Sequence, residues 1–66
     1  MVNTDKLSEL MAKQKMDARE LSAKIGVSEA MVSYIKRGLK QPSVEVLVRI
    51  ANALGCKVDD LVTAPR

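Results

Sequence analysis

Apolar residues recur along the chain at spacings of three and four, broken by short polar stops, and this pattern divides it into five helices. The first is expected over about residues 4–15, where Leu7, Leu10 and Met11 fall on one face. In "MDARELSAKIG" Asp17 is placed to cap a second helix over 18–25, and Glu20 three residues on completes a capping box. Met16 and Leu21 hold the hydrophobic-staple positions, Leu21 and Ile25 face inward, and Gly26 ends the helix in a left-handed turn. Ser28 caps a third helix over 29–37, with Val32 and Ile35 inward and Gly38 as its stop. Pro42 turns Gln41 away from helix, and Ser43 caps a fourth helix over 44–54 whose stripe is Val46/Leu47, Ile50 and Ala53/Leu54, with Gly55 after it. A short fifth helix over 58–62 carries Asp59 and Asp60 in its first turn, where the dipole favours acids, behind Lys57, a poor capping residue. The final "TAPR" is expected to fray. Val44, Val46 and Val48 alternate as a strand would, but the Ser43 cap and the longer helical stripe outweigh them. The fold class is all-α, one compact five-helix domain over residues 1–66.

Composition narrows this picture. Sixty-six residues leave room for one core, and with one Tyr and no Phe or Trp that core must be aliphatic. A hydrophobic content of 47% beside 29% charged residues argues against disorder. No apolar run approaches a membrane span and no signal-peptide pattern opens the chain. The single cysteine, Cys56, has no partner for an internal disulfide, which suits a reducing, cytoplasmic setting. It reads as a small buried residue in the turn before the fifth helix, a redox role being the lesser alternative. With no His, one Cys and no clustered carboxylates, neither a metal site nor an acid–base pair is expected. Ser22, Ser28, Ser33 and Ser43 have no base beside them. An enzyme is not expected, nor a cofactor, nor a small-molecule ligand.

Charge changes the picture more. The chain carries +3, but Lys13, Lys15, Arg19, Lys24, Lys36, Arg37 and Lys40 face only Asp17, Glu20 and Glu29 over residues 13–40, so that stretch alone carries +4. The basic excess sits on the second and third helices and their flanks, a mild pointer to a polyanion. Those two short helices, joined by a Gly26–Ser28 turn, have helix-turn-helix spacing. Leu21 lies five residues before the glycine and the small Ser22 four before it, where two helices must approach closely. Val32 and Ile35 bury one face of the third helix. Its other face carries Glu29, Ala30, Ser33 and Tyr34, with Lys36, Arg37 and Lys40 at its end, and offers nothing to an apolar partner. A helical corner of this kind can also be scaffold alone.

From Leu7 to Val62 the chain resembles the Cro/repressor (lambda-repressor-like, XRE-type) helix-turn-helix family, through "ELSAKIGVSEAMVSYIKRG", "QPSVEVLVRIANALG" and "VDDLV". The resemblance implies a five-helix domain whose third helix enters the major groove, with dimers on pseudo-palindromic operators. On the matching positions it implies that Ser28, Glu29, Ala30, Ser33 and Tyr34 face base edges and that Arg37, Lys40 and Gln41 touch phosphate. Many members have Gln at the start of the second helix; Ala18 stands there instead, with Arg19 beside it as a substitute by charge. The hinge position, usually Ala in the family, is Ser22, whose hydroxyl is expected to bond back within its helix.

Individual side chains keep two readings. Glu29 can accept from a cytosine amino group or simply suit the helix dipole. Ala30 can touch a thymine methyl or serve as a helix former. Tyr34 can face DNA or pack against the loop before the fourth helix, and Met31 can go either way. Lys36, Arg37 and Lys40 are expected to supply salt-sensitive affinity for phosphates. Because one short reading helix cannot specify a long site, a homodimer is expected, its interface drawn from Val58, Leu61 and Val62; the alternative is that these three only cover the core. The expected function is a DNA-binding transcriptional regulator, a repressor of bacterial, plasmid or phage type. The competing expectation is a protein-interaction module of the same fold, antitoxin-like or a regulatory partner.

Overall fold

Five helices account for the regular structure of residues 2–62, which are those the computed structural model describes: α1 (Thr4–Lys13), α2 (Ala18–Ile25), α3 (Glu29–Lys36), α4 (Val44–Leu54) and α5 (Val58–Leu61). The expected fraying of residues 63–66 lies outside that range. Four helices begin at a side-chain cap that satisfies an N–H the helix leaves orphaned. Asn3 Oδ1 accepts from Lys6, Asp17 Oδ1 from Glu20 (2.8 Å), Ser28 Oγ from Met31 (3.1 Å) and Ser43 Oγ from Val46 (3.2 Å).

The capping box expected at α2 is only half made: Asp17 accepts as expected, but no return bond to Glu20 forms. At α5 the opposite half is present. Lys57 has no side-chain acceptor, yet its backbone N–H donates to Asp60 Oδ2 at 3.1 Å.

The core is aliphatic throughout. Leu7 and Met11 of α1, Leu21 and Ile25 of α2, Val32 and Ile35 of α3, Ile50, Ala51 and Leu54 of α4 and Leu61 of α5 are all buried, joined by Val2. In α4 the fully buried alanine is Ala51, with Ala53 only partly covered, so the stripe sits slightly further round the helix than expected. Met31, open in the sequence, packs against this core. The most extensive packing joins α2 to α3, followed by α2 to α4.

Three helix ends differ from expectation. α1 stops at Lys13, two residues early, because Lys15 takes a left-handed φ of 55°. Lys15 and Met16 then donate back to Ala12 and Met11, which leaves Met16 free to pack between α1 and α2. α3 ends at Lys36, with Arg37 as its last cap. Val62 is not helical: its backbone is extended (φ −108°, ψ 148°) and it pairs as an isolated antiparallel bridge with Val2. Beside that bridge the Asn3 N–H donates to the Leu61 carbonyl at 2.7 Å, so the N-terminal segment draws residue 62 out of the helix.

Candidate nucleic-acid interface

The α2–turn–α3 unit depends on two local devices. Gly26 adopts φ 74°, ψ 28°, a left-handed conformation that costs glycine nothing and any other residue about 1 kcal/mol or more. Its N–H and that of Val27 both donate to the Ser22 carbonyl, closing α2. Ser22 is buried at the hinge, and its hydroxyl donates to the Arg19 carbonyl at 2.7 Å, the back-bond the sequence led us to expect.

Sequence reasoning gave no hint of a second support. Arg49 of α4 donates from Nη1 to the carbonyl of Ile25 (3.2 Å) and from Nη2 to Glu45 (2.7 Å). A cation thus meets the negative end of α2 where the turn begins. The i, i+4 spacing of Glu45 and Arg49 announces their surface pair. The bond to Ile25 spans 24 residues and leaves no local pattern.

α3 divides cleanly into two faces. Val32 and Ile35 are each 1% exposed, whereas Glu29, Ala30 and Tyr34 are exposed and Ser33 is half-buried. Ala30, Ser33 and Tyr34 fall at i, i+3 and i+4, so they form one outward stripe, with Glu29 and Ser28 at its start. Ser28 already accepts the Met31 N–H, so outward it has its O–H to donate.

Tyr34 makes the loop contact that one of its two readings expected. It is 40% exposed and outside the core, but its ring also lies 5.8 Å from the Lys40 ammonium, a cation–π contact with the loop before α4. Its carbonyl accepts the Leu39 N–H at 2.9 Å, which holds the loop against the end of α3.

The expected phosphate-facing residues are less uniform. Arg19, Arg37 and Lys40 are exposed, and Lys36 is half-buried. Gln41 is exposed, but its side-chain carbonyl accepts the Val2 N–H at 3.0 Å, leaving only its NH₂ to donate. Among the residues expected to form a dimer interface, Leu61 is 0% exposed and has no surface left to offer; Val58 and Val62 are half-buried. Cys56 is half-buried against the core, and its thiol pKa is raised by burial and by Asp60, with Lys6 opposing. No group of three or more His, Cys, Asp or Glu stands together among the described residues, and no described helix is long and apolar enough to cross a membrane.

This geometry has known counterparts. Residues 6–65 match the profile of the Cro/C1-type HTH DNA-binding domain. The chain belongs to that family. It is 38% identical over 63 residues to the uncharacterised HTH-type transcriptional regulator y4dL of Sinorhizobium fredii, covering 96% of this chain and 31% of that protein. It is 29% identical over 56 residues to an HTH-type transcriptional regulator of Archaeoglobus fulgidus, covering 85% of this chain and 80% of that one. In three dimensions it is similar to the clp gene regulator ClgR from Corynebacterium glutamicum, with a TM-score of 0.81 at 33% identity over 86% of this chain and 61% of that chain. This Cro/C1-type domain therefore spans under a third of the Sinorhizobium protein's length and under two thirds of the ClgR chain's.

Proposed function

We propose that this Cro/C1-type domain is the operator-reading part of a transcriptional repressor, with α3 in the major groove of duplex DNA. The observation that carries the reading is the split of α3 into a buried aliphatic face and an exposed polar one, bounded by Arg37 and Lys40. Ser28, Glu29, Ala30, Ser33 and Tyr34 act on base edges: hydroxyl donors at Ser28 and Ser33, an acceptor for a cytosine amino group at Glu29, a methyl at Ala30 for thymine. Arg19, Lys36, Arg37, Lys40 and the Gln41 NH₂ act on phosphates and hold the register. Two copies bind half-sites roughly 34 Å apart, one helical turn of DNA. A DNA partner puts the protein in the cytoplasm of a bacterial, plasmid or phage-type system. The competing reading, a protein-docking module, needs an apolar free face on α3, and Glu29, Ala30, Ser33 and Tyr34 do not make one.

Titration of the folded protein into random-sequence duplex DNA at several salt concentrations tests this directly. Affinity that falls steeply with salt supports a phosphate-contacting surface. Folded protein that ignores DNA at low salt would sink the reading.

A further inference from the structure

The N-terminal segment does more than close the core: it also reaches the loop after α3. Val2 is 6% exposed and belongs to the core, although it precedes the first helix. It stands opposite Val62 in an antiparallel bridge, and the bond beside that bridge runs from the Asn3 N–H to the Leu61 carbonyl at 2.7 Å. In this pattern the flanking residues carry the bonds, so the Val2 N–H points away from residue 62. It donates instead to Gln41 Oε1 at 3.0 Å, across 39 positions of sequence. The other hydrogen bonds of the loop are local. The Gly38, Leu39 and Lys40 N–H groups return to Ile35 and Tyr34 at the end of α3, and Ser43 caps α4. Gln41 makes no other hydrogen bond among the described residues. Thr4 backs the same corner, since a Cβ built on Gly38 would stand 3.6 Å from Thr4 Cγ2. The start of the chain thus supports this loop at both Gly38 and Gln41.

We propose that Val2 is a positioning residue for the side-chain amide of Gln41, and that residues 61 and 62 hold Val2 in place to do it. A backbone N–H can be met only by the amide oxygen, so the bond leaves the NH₂ as the end free to donate. An amide without that tie can turn its oxygen toward a phosphate, which repels it, as well as its NH₂. Ordering the side chain before DNA arrives also removes part of the entropy cost of the contact. The support reaches further than the loop. Because the Asn3 N–H is bonded to Leu61 and Val2 is paired with Val62, the end of α5 is joined to the loop after α3 through the N-terminal segment. The phosphate role of Gln41 rests on the DNA-reading function proposed above; the hold on its amide does not.

Val2→Pro tests the hold, because it deletes the N–H, keeps an apolar residue and leaves untouched the bonds beside the bridge. In the DNA-free protein, nitrogen relaxation of the Gln41 NH₂ should show an ordered group in the native chain and a mobile one in Val2→Pro. On random-sequence duplex DNA, Val2→Pro should bind about threefold to tenfold more weakly. The slope of log affinity against log salt should stay the same, since no charge is lost. In a Gln41→Met chain, which has neither the acceptor nor the donor, adding Val2→Pro should cost no further affinity. A Gln41 NH₂ as mobile in the native chain as in Val2→Pro would overturn the proposal. So would a loss from Val2→Pro that persists undiminished beside Gln41→Met, the mark of a merely structural role. Should Val2→Pro fail to fold, the native chain decides alone: a Gln41 NH₂ no more ordered than that of the exposed Asn52 would overturn the hold. Native protein that binds no duplex would remove the phosphate role together with the DNA reading, and the relaxation data would still decide whether Val2 holds the amide.

Discussion

At Lys15 a lysine occupies the left-handed backbone that the chain otherwise gives to glycine, with φ 55° against 74° at Gly26. The strain is of order 1 kcal/mol, and it persists because stopping α1 there lets Met16 seal the corner between α1 and α2. Lys15→Gly should relieve the strain, less what glycine loses through its larger unfolded freedom, for a net gain of about 0.5 kcal/mol. The check is a higher urea midpoint at unchanged slope, and an unchanged or lower midpoint would refute it. Tyr34 differs in kind, since it is half exposed and outside the core, so its loss should leave the fold intact. On the proposed function, in which the ring reads the groove, Tyr34→Ala should lower preference for a selected operator more than affinity for random DNA, and it also removes the contact with Lys40. A substantial fall in melting temperature would instead show that its contacts with the loop before α4 are structural.

The three central helices were legible because each is announced locally: Asp17, Ser28 and Ser43 are caps with one clear purpose, and Gly26 and Gly38 are stops. What the sequence did not disclose was long-range. Val62 reads as helical until Val2, from the far end of the chain, pairs with it, and Gln41 reads as a free amide until the same Val2 donates to it. Leu61 kept two readings, interface or core cover, because a short terminal helix gives no local sign of which face is covered; in the packing of α5 on α1 and α4 it is fully buried. Arg49 is the consequential omission, because it joins α4 to the end of α2, just before the turn that leads into α3. Arg49→Met keeps the aliphatic stem and removes the donor to the Ile25 carbonyl. Since the guanidinium is about half exposed and water can replace it in part, the stability loss should be roughly 0.5–1.5 kcal/mol. Its exposed ion pair with Glu45 adds at most a few tenths. Amide shifts that spread from Gly26 through Ser28 into α3 would mark a positioning role; shifts limited to α4 would deny it.

The whole molecule is electrostatically lopsided, and this decides how its two kinds of contact can be separated. The +4 carried by residues 13–40 exceeds the +3 of the entire chain, so the remaining residues are slightly acidic in sum. The basic excess thus belongs to the segment that carries α2, α3 and the loop after them, the segment given the phosphate contacts in the proposed function. Arg37 and Lys40 are the exposed cations at the end of α3, and neither supports the core. If each neutralises one phosphate, Arg37→Ala or Lys40→Ala should reduce the slope of log affinity against log salt by about 0.9. For Arg37→Ala affinity should then fall by a similar factor for selected and random duplexes, leaving the ratio between them intact. Lys40→Ala carries one further effect: without the ammonium beside its ring Tyr34 is less constrained, so some operator preference should go with the slope. Arg37→Ala has no such link, so comparing the two variants separates a pure phosphate contact from one that also positions a reading residue. A slope unchanged in both would mean that the basic end of α3 faces water in the complex, and that the register on DNA is held elsewhere, with Arg19 at the start of α2 the next cation to test.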